Sequence, residues 1–153
     1  MDFDIGSMLP SLESLLGKLD LLLRILVMAG PLALLGLGLY YFLAPPQEAN
    51  HSAGYRFRYG MSKVKVWRFM QKLAGMVYSG VGLVLTIVMA LICVGFGNMQ
   101  AMDMVWSAVW CIVWELGIVA IATAAINITV IALYDSEGNS RSEMRELFPK
   151  KKK

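Results

Sequence analysis

The chain has 153 residues, enough for one ordinary domain, and carries a net charge of +3. Its hydrophobic fraction is 58% and its charged fraction 16%, against about 45–50% and about 25% for soluble domains. The apolar excess sits in three long blocks separated by polar loops, which argues against a soluble globular domain and for a polytopic membrane protein. The two cysteines, Cys93 and Cys111, fall inside apolar blocks at a spacing that matches no zinc or redox motif, so they read as small buried hydrophobes.

Residues 1–20 begin with Asp2 and Asp4, the wrong charge for a secretory leader. Leu9, Leu12, Leu15, Leu16 and Leu19 then recur at helical spacing among Ser11, Glu13, Ser14 and Lys18. This predicts an N-terminal amphipathic helix, either lying on the membrane surface or extending the first span. The first span is predicted over 21–43, more than the roughly 20 residues that cross a bilayer. Asp20 and Arg24 stand one turn apart at its start, a favourable pairing geometry. Gly30-Pro31 is a candidate kink, and Tyr40, Tyr41, Pro45 and Pro46 mark its far end.

The segment 47–72 holds His51, Arg56, Arg58, Lys63, Lys65, Arg68 and Lys72 against one acid, Glu48. Tyr55, Phe57 and Tyr59 alternate with the arginines, a mixture suited to lipid phosphates at an interface. Beyond Ser62, the residues Val66, Trp67, Met70, Leu73 and Ala74 lie on one helical face, with Lys63, Lys65, Arg68 and Lys72 mostly on the other. An interfacial helix in the first loop is therefore predicted, feeding the second span.

The second span is predicted over 73–96, with Gly75, Ser79, Gly80 and Gly82 forming a surface that lets helices approach closely. A short acidic turn with Asp103 leads to the third span, predicted over 105–134. Residues 135–153 form a polar tail in which Arg141, Glu143, Arg145 and Glu146 can make a short helix before the lysines Lys150–Lys153. The predicted fold is thus all-α, a three-span membrane domain over 21–134 between an amphipathic segment at 1–20 and a basic tail at 135–153. The first loop and tail are basic, whereas the N-terminus and second loop are acidic. The positive-inside rule then places the N-terminus outside the cell membrane and the C-terminus in the cytoplasm.

Glu115 is the acidic residue deep in a predicted span, and an intramembrane carboxylate is a functional candidate by default. Pairing with Arg24 is expected; proton or cation coupling is the alternative. Trp106, Trp110 and Trp114 form a stripe that packs or meets lipid, or alternatively walls a cation site beside Glu115. Thr123, Asn127 and Thr129 are candidates for hydrogen bonds between helices. With one histidine, no cluster of metal ligands and no recognisable nucleophile–base pair, neither an enzyme nor a cofactor is expected.

The first loop reads Gly54-Tyr55-Arg56, then a turn with Ser62, then Trp67, and Gln71-Lys72-Leu73-Ala74-Gly75 entering the second span. This pattern resembles the SdpI family of bacterial membrane proteins. That family has a Gly-Tyr-Arg element after the first helix, a Ser-containing turn, a Trp, and an Asn, a basic residue and an Ala-Gly pair before the next helix. The resemblance covers roughly Asn50 to Tyr134, and its motif lies between Asn50 and Gly75. Gln71 stands where the family usually has Asn, Phe57 where it usually has Thr, and Arg58 where a Pro often follows.

The resemblance implies an immunity or signalling role, protection against a secreted peptide toxin and retention of a repressor protein at the membrane. It makes Gly54, Tyr55, Arg56, Ser62, Trp67 and Gln71 candidate binding residues, and the loop from Gly54 to Lys72 a cytoplasmic docking face. Glu115, Arg24 and Asn127 are the intramembrane polar candidates. Anionic lipid headgroups at the basic loop and tail are the expected partners, in preference to nucleic acid. The other readings are a small transporter subunit using Glu115, which needs a homo-oligomer, and an accessory subunit of a larger membrane complex.

Overall fold

The computed structural model describes residues 9–46 and 54–142, with side chains from Ser14 onward. Three helices dominate: α1 (Leu9–Leu43), α2 (Val64–Gly95) and α3 (Ala101–Leu133). Each is long and apolar enough to cross a membrane, over Ser14–Leu43, Val64–Asn98 and Ala101–Leu133. They run up, down and up, so the end of α1, the start of α2 and the end of α3 share one end of the bundle.

Two of the expected helices are not separate. The amphipathic N-terminal segment, as far as it is described, is the beginning of α1. Gly17 is the one weak helix former between Leu12 and Asp20, and a single glycine costs only about 1 kcal/mol, too little to break a helix. Likewise α2 starts at Val64, nine residues before the expected start of the second span, and runs unbroken through Trp67 and Leu73. No glycine or proline lies between Val64 and Ala74 to stop it. At 1.5 Å per residue its 32 residues reach about 48 Å, well beyond a hydrocarbon core about 30 Å thick. α1 continues through Pro31. The extreme N-terminus, His51 and its neighbours, and the tail helix expected beyond Ser142 lie outside the described residues.

Helices α1 and α2 are packed backbone to backbone. A Cβ on Gly75 would sit 2.6 Å from the Phe42 nitrogen, and one on Gly82 would sit 2.6 Å from the Leu35 nitrogen. From the other side, Gly38 leaves room for the backbone of Tyr78 and Ser79. Gly80, grouped with these in the sequence, faces open space. Such small-residue contacts are how helices gain dispersion energy in lipid, where no hydrophobic drive operates.

α3 contributes a stripe of Met104, Ala108, Cys111, Glu115, Ala122, Ile126 and Val130 to the core. Both cysteines are buried and free.

Replacing Gly82 by Leu should lower stability by about 1–3 kcal/mol, the usual cost of overpacking, whereas Gly80→Leu should leave it within experimental error. Thermal unfolding of both variants in mild detergent checks this.

Candidate functional site

The first loop folds onto the bundle. Gly54 adopts φ +108°, a left-handed conformation that favours glycine, and a Cβ there would lie 2.8 Å from the Trp67 ring. This turn presents the backbone of Tyr55 to the side chain of Gln71. The Tyr55 N–H donates to Gln71 Oε1 at 2.8 Å, and Gln71 Nε2 donates to the Tyr55 carbonyl at 2.7 Å. The Gln71 side chain is 0% exposed, so this two-way amide pairing satisfies a buried polar group.

The Tyr55 ring then points into the bundle. Its hydroxyl donates to Asn127 Oδ1 at 2.7 Å and lies 3.4 Å from the Thr123 carbonyl. Its ring meets Tyr78 edge-on, with centroids 5.8 Å apart, and the Tyr78 hydroxyl is 2.9 Å from Thr123 Oγ1. Burial, followed by the neighbouring Tyr78, pushes the Tyr55 hydroxyl well above the usual phenol range.

Trp67 is the second anchor. Fully buried, it donates from Nε1 to the Pro46 carbonyl at 2.8 Å and packs with Val66, Met70 and Val130. Ser62 donates to the Tyr59 carbonyl at 2.8 Å. Beside it, the turn after α3 docks on the loop. Asp135 Oδ1 accepts from the Glu137 and Asn139 N–H groups at 3.0 and 2.7 Å, and Lys63 donates to the Asn139 side chain. A Cβ on Gly138, at φ +76°, would lie 2.5 Å from Ser62 Oγ.

Of the expected binding residues, Gly54, Tyr55, Trp67 and Gln71 therefore come together, with Asn127 from α3. Their side-chain bonds hold the loop: Gln71 to the Tyr55 backbone, Tyr55 to Asn127 and Trp67 to Pro46. Arg56 remains on the surface with Arg58, Lys63, Lys65, Arg68 and Lys72, all exposed at this end of the bundle. Phe57 and Tyr59 stack beside them, with centroids 5.7 Å apart. A cleft of about 580 Å³ lies between the end of α1 and the start of α2, lined by Leu43, Ala44, Pro45, Arg68, Phe69 and Lys72. The expected bonds between helices form at Thr123 and Asn127, whereas Thr129 bonds the Ala125 carbonyl of its own helix. Sequence reasoning missed Tyr78 as the partner of Thr123 and the grip of Gln71 on the Tyr55 backbone.

The intramembrane candidates do not form the expected pair. Arg24 pairs with Asp20 on its own helix, Nε to Oδ1 at 2.8 Å. Glu115 is 6% exposed and packs against Gly30 instead, with Oε1 lacking a hydrogen-bond partner. Six residues of helix separate Arg24 from Gly30, about 9 Å of rise, which puts the guanidinium too far out. Trp106, Trp110 and Trp114 are 59%, 58% and 65% exposed, so they line the outer surface of α3 and build no wall around Glu115.

Compared with family models, curated proteins and solved structures, the chain matches none of them.

Gln71→Leu strands the Tyr55 N–H and carbonyl, which should cost about 1–3 kcal/mol and speed tryptic cleavage at Arg56 and Arg58. Limited proteolysis in detergent reads the second effect. The Tyr55 phenol must stay protonated when folded, whereas the unfolded chain ionises above about pH 10. Folded stability is thus fully present below that pH and falls as pH rises beyond it. Tyr55→Phe should flatten this alkaline loss in a thermal-unfolding series.

Proposed function

We propose that this chain is an immunity or signalling protein of the SdpI type, a bacterial multi-pass protein of the cell membrane that docks a regulatory protein or a toxin peptide on its first loop. The observation that carries the reading is the division of labour in that loop. Gly54, Tyr55, Trp67 and Gln71 give it a fixed shape, and Arg56, Arg58, Lys63, Lys65, Arg68 and Lys72 stay exposed at that end of the bundle. A basic surface on a held backbone, with stacked Phe57 and Tyr59, suits an acidic protein surface, since a preorganised loop loses little entropy on binding.

The positive-inside rule places this surface in the cytoplasm, with the N-terminus outside. The first turns of α2 carry cations opposite an apolar face, as an interfacial helix does. Anionic headgroups suit the cleft beside Arg68 and Lys72, where an apolar wall borders two cations. Lipid would then hold the loop at the surface while the protein partner engages Arg56 and Arg58. The resemblance of the Gly54–Gly75 motif to the SdpI family supplies the biological role. The accessory-subunit reading has no observation of its own, and the transporter reading rests on Glu115 without its aromatic wall.

The test is a mild-detergent pull-down from the source cells, comparing wild type with Arg56→Glu/Arg58→Glu. Wild type should retain a stoichiometric soluble protein that the variant loses, with unchanged thermal stability. Recovery of the same proteins by both would overturn the docking role.

A further inference from the structure

Among the described residues, Glu115 is the only buried carboxylate, and nothing in the loop reading uses it. Its Oε1 is enclosed and has no hydrogen-bond partner. Its other oxygen lies so close to α1 that a Cβ on Gly30 would sit 2.6 Å away. Gly30 is itself exposed on the outside of the bundle. The missing side chain therefore leaves a notch leading from the outer surface of α1 to the carboxyl group.

A carboxylic acid O–H is a donor, and an ionised carboxylate is only an acceptor. Among the described residues, no cation compensates an ionised Glu115. Arg24 is held by Asp20, and no Lys, Arg or His occurs between Leu73 and Tyr134. The other groups facing the site are Cys111 one turn away on α3 and Cys93 from α2, both thiols. An unpaired charge in such a place is strongly disfavoured.

We propose that Glu115, seated against Gly30 where α3 meets α1, forms an intramembrane proton-binding site, open to the lipid at the Gly30 notch, whose protonation holds α3 against α1. Loss of the proton puts a bare charge on the α1–α3 seam. α3 is the helix least enclosed by the others, so this seam is the one that yields. The site goes beyond the docking role and does not depend on it.

The experiment uses the full chain in phospholipid vesicles and the lipid-soluble reagent dicyclohexylcarbodiimide, which reacts with protonated carboxyl groups. Peptide mass spectrometry should find the adduct on Glu115, with labelling falling about tenfold per pH unit above the titration midpoint, as one proton requires. Glu115→Gln should remove the adduct. Gly30→Leu should close the notch and suppress it, while Gly36→Leu, on an open face of the same helix, should label like wild type. Thermal unfolding supplies an independent readout. Wild type should lose stability from mildly acidic to mildly alkaline pH, and Glu115→Gln should stay flat with an intact fold. Absent or pH-independent labelling of Glu115, or the same pH response in wild type and Glu115→Gln, would overturn the proposal.

Discussion

One residue, Tyr55, ties three parts of the molecule together. Its backbone is held by the Gln71 amide on α2, and its hydroxyl reaches Asn127 on α3. Without this grip, the chain between α1 and α2 would be a tether of basic and aromatic residues with no set shape. With it, the loop has a floor in which Trp67 and Gln71 are buried and Gly54 and Tyr55 half-buried, and a charged outer surface. The Gln71 side of the pairing is enclosed, so losing its partner leaves a buried polar group stranded.

The bundle has two unlike seams. Between α1 and α2, glycines at 38, 75 and 82 let the backbones touch, and the seam is set by shape. Where α3 joins, side chains decide the fit: Thr123 and Asn127 bond to Tyr78 and Tyr55 at one end, and Glu115 sits alone against Gly30 further along. A seam made by backbone contact is insensitive to pH. A seam that includes an uncompensated carboxyl group is not. This asymmetry places any conformational response in α3, with α1 and α2 as the frame.

Much of the fold was legible from hydropathy alone. Three apolar runs longer than a bilayer crossing specify three spans whatever their contacts. The helix starts were less legible. Lys63 provides no side-chain cap, so nothing in the sequence marked Val64 as the first residue of α2. The pairing of Asp20 with Arg24 followed from their four-residue spacing. The mistaken pairing of Arg24 with Glu115 came from weighing charge complementarity without the rise of the helix. In the loop, the motif spacing drew attention to Gly54, Tyr55, Trp67 and Gln71, but their role was not readable there. Whether a residue binds a ligand or the protein itself depends on partners such as Asn127, 72 positions away, which no local pattern encodes.

Amide hydrogen exchange of the detergent-solubilised protein tests the folded loop most directly. The Tyr55 N–H should exchange far more slowly than in an unstructured peptide of the same sequence, and Gln71→Leu should abolish that protection while leaving the α1–α2 core protected. A Tyr55 amide that exchanges at the unstructured rate in the wild-type protein would contradict a loop held by Gln71.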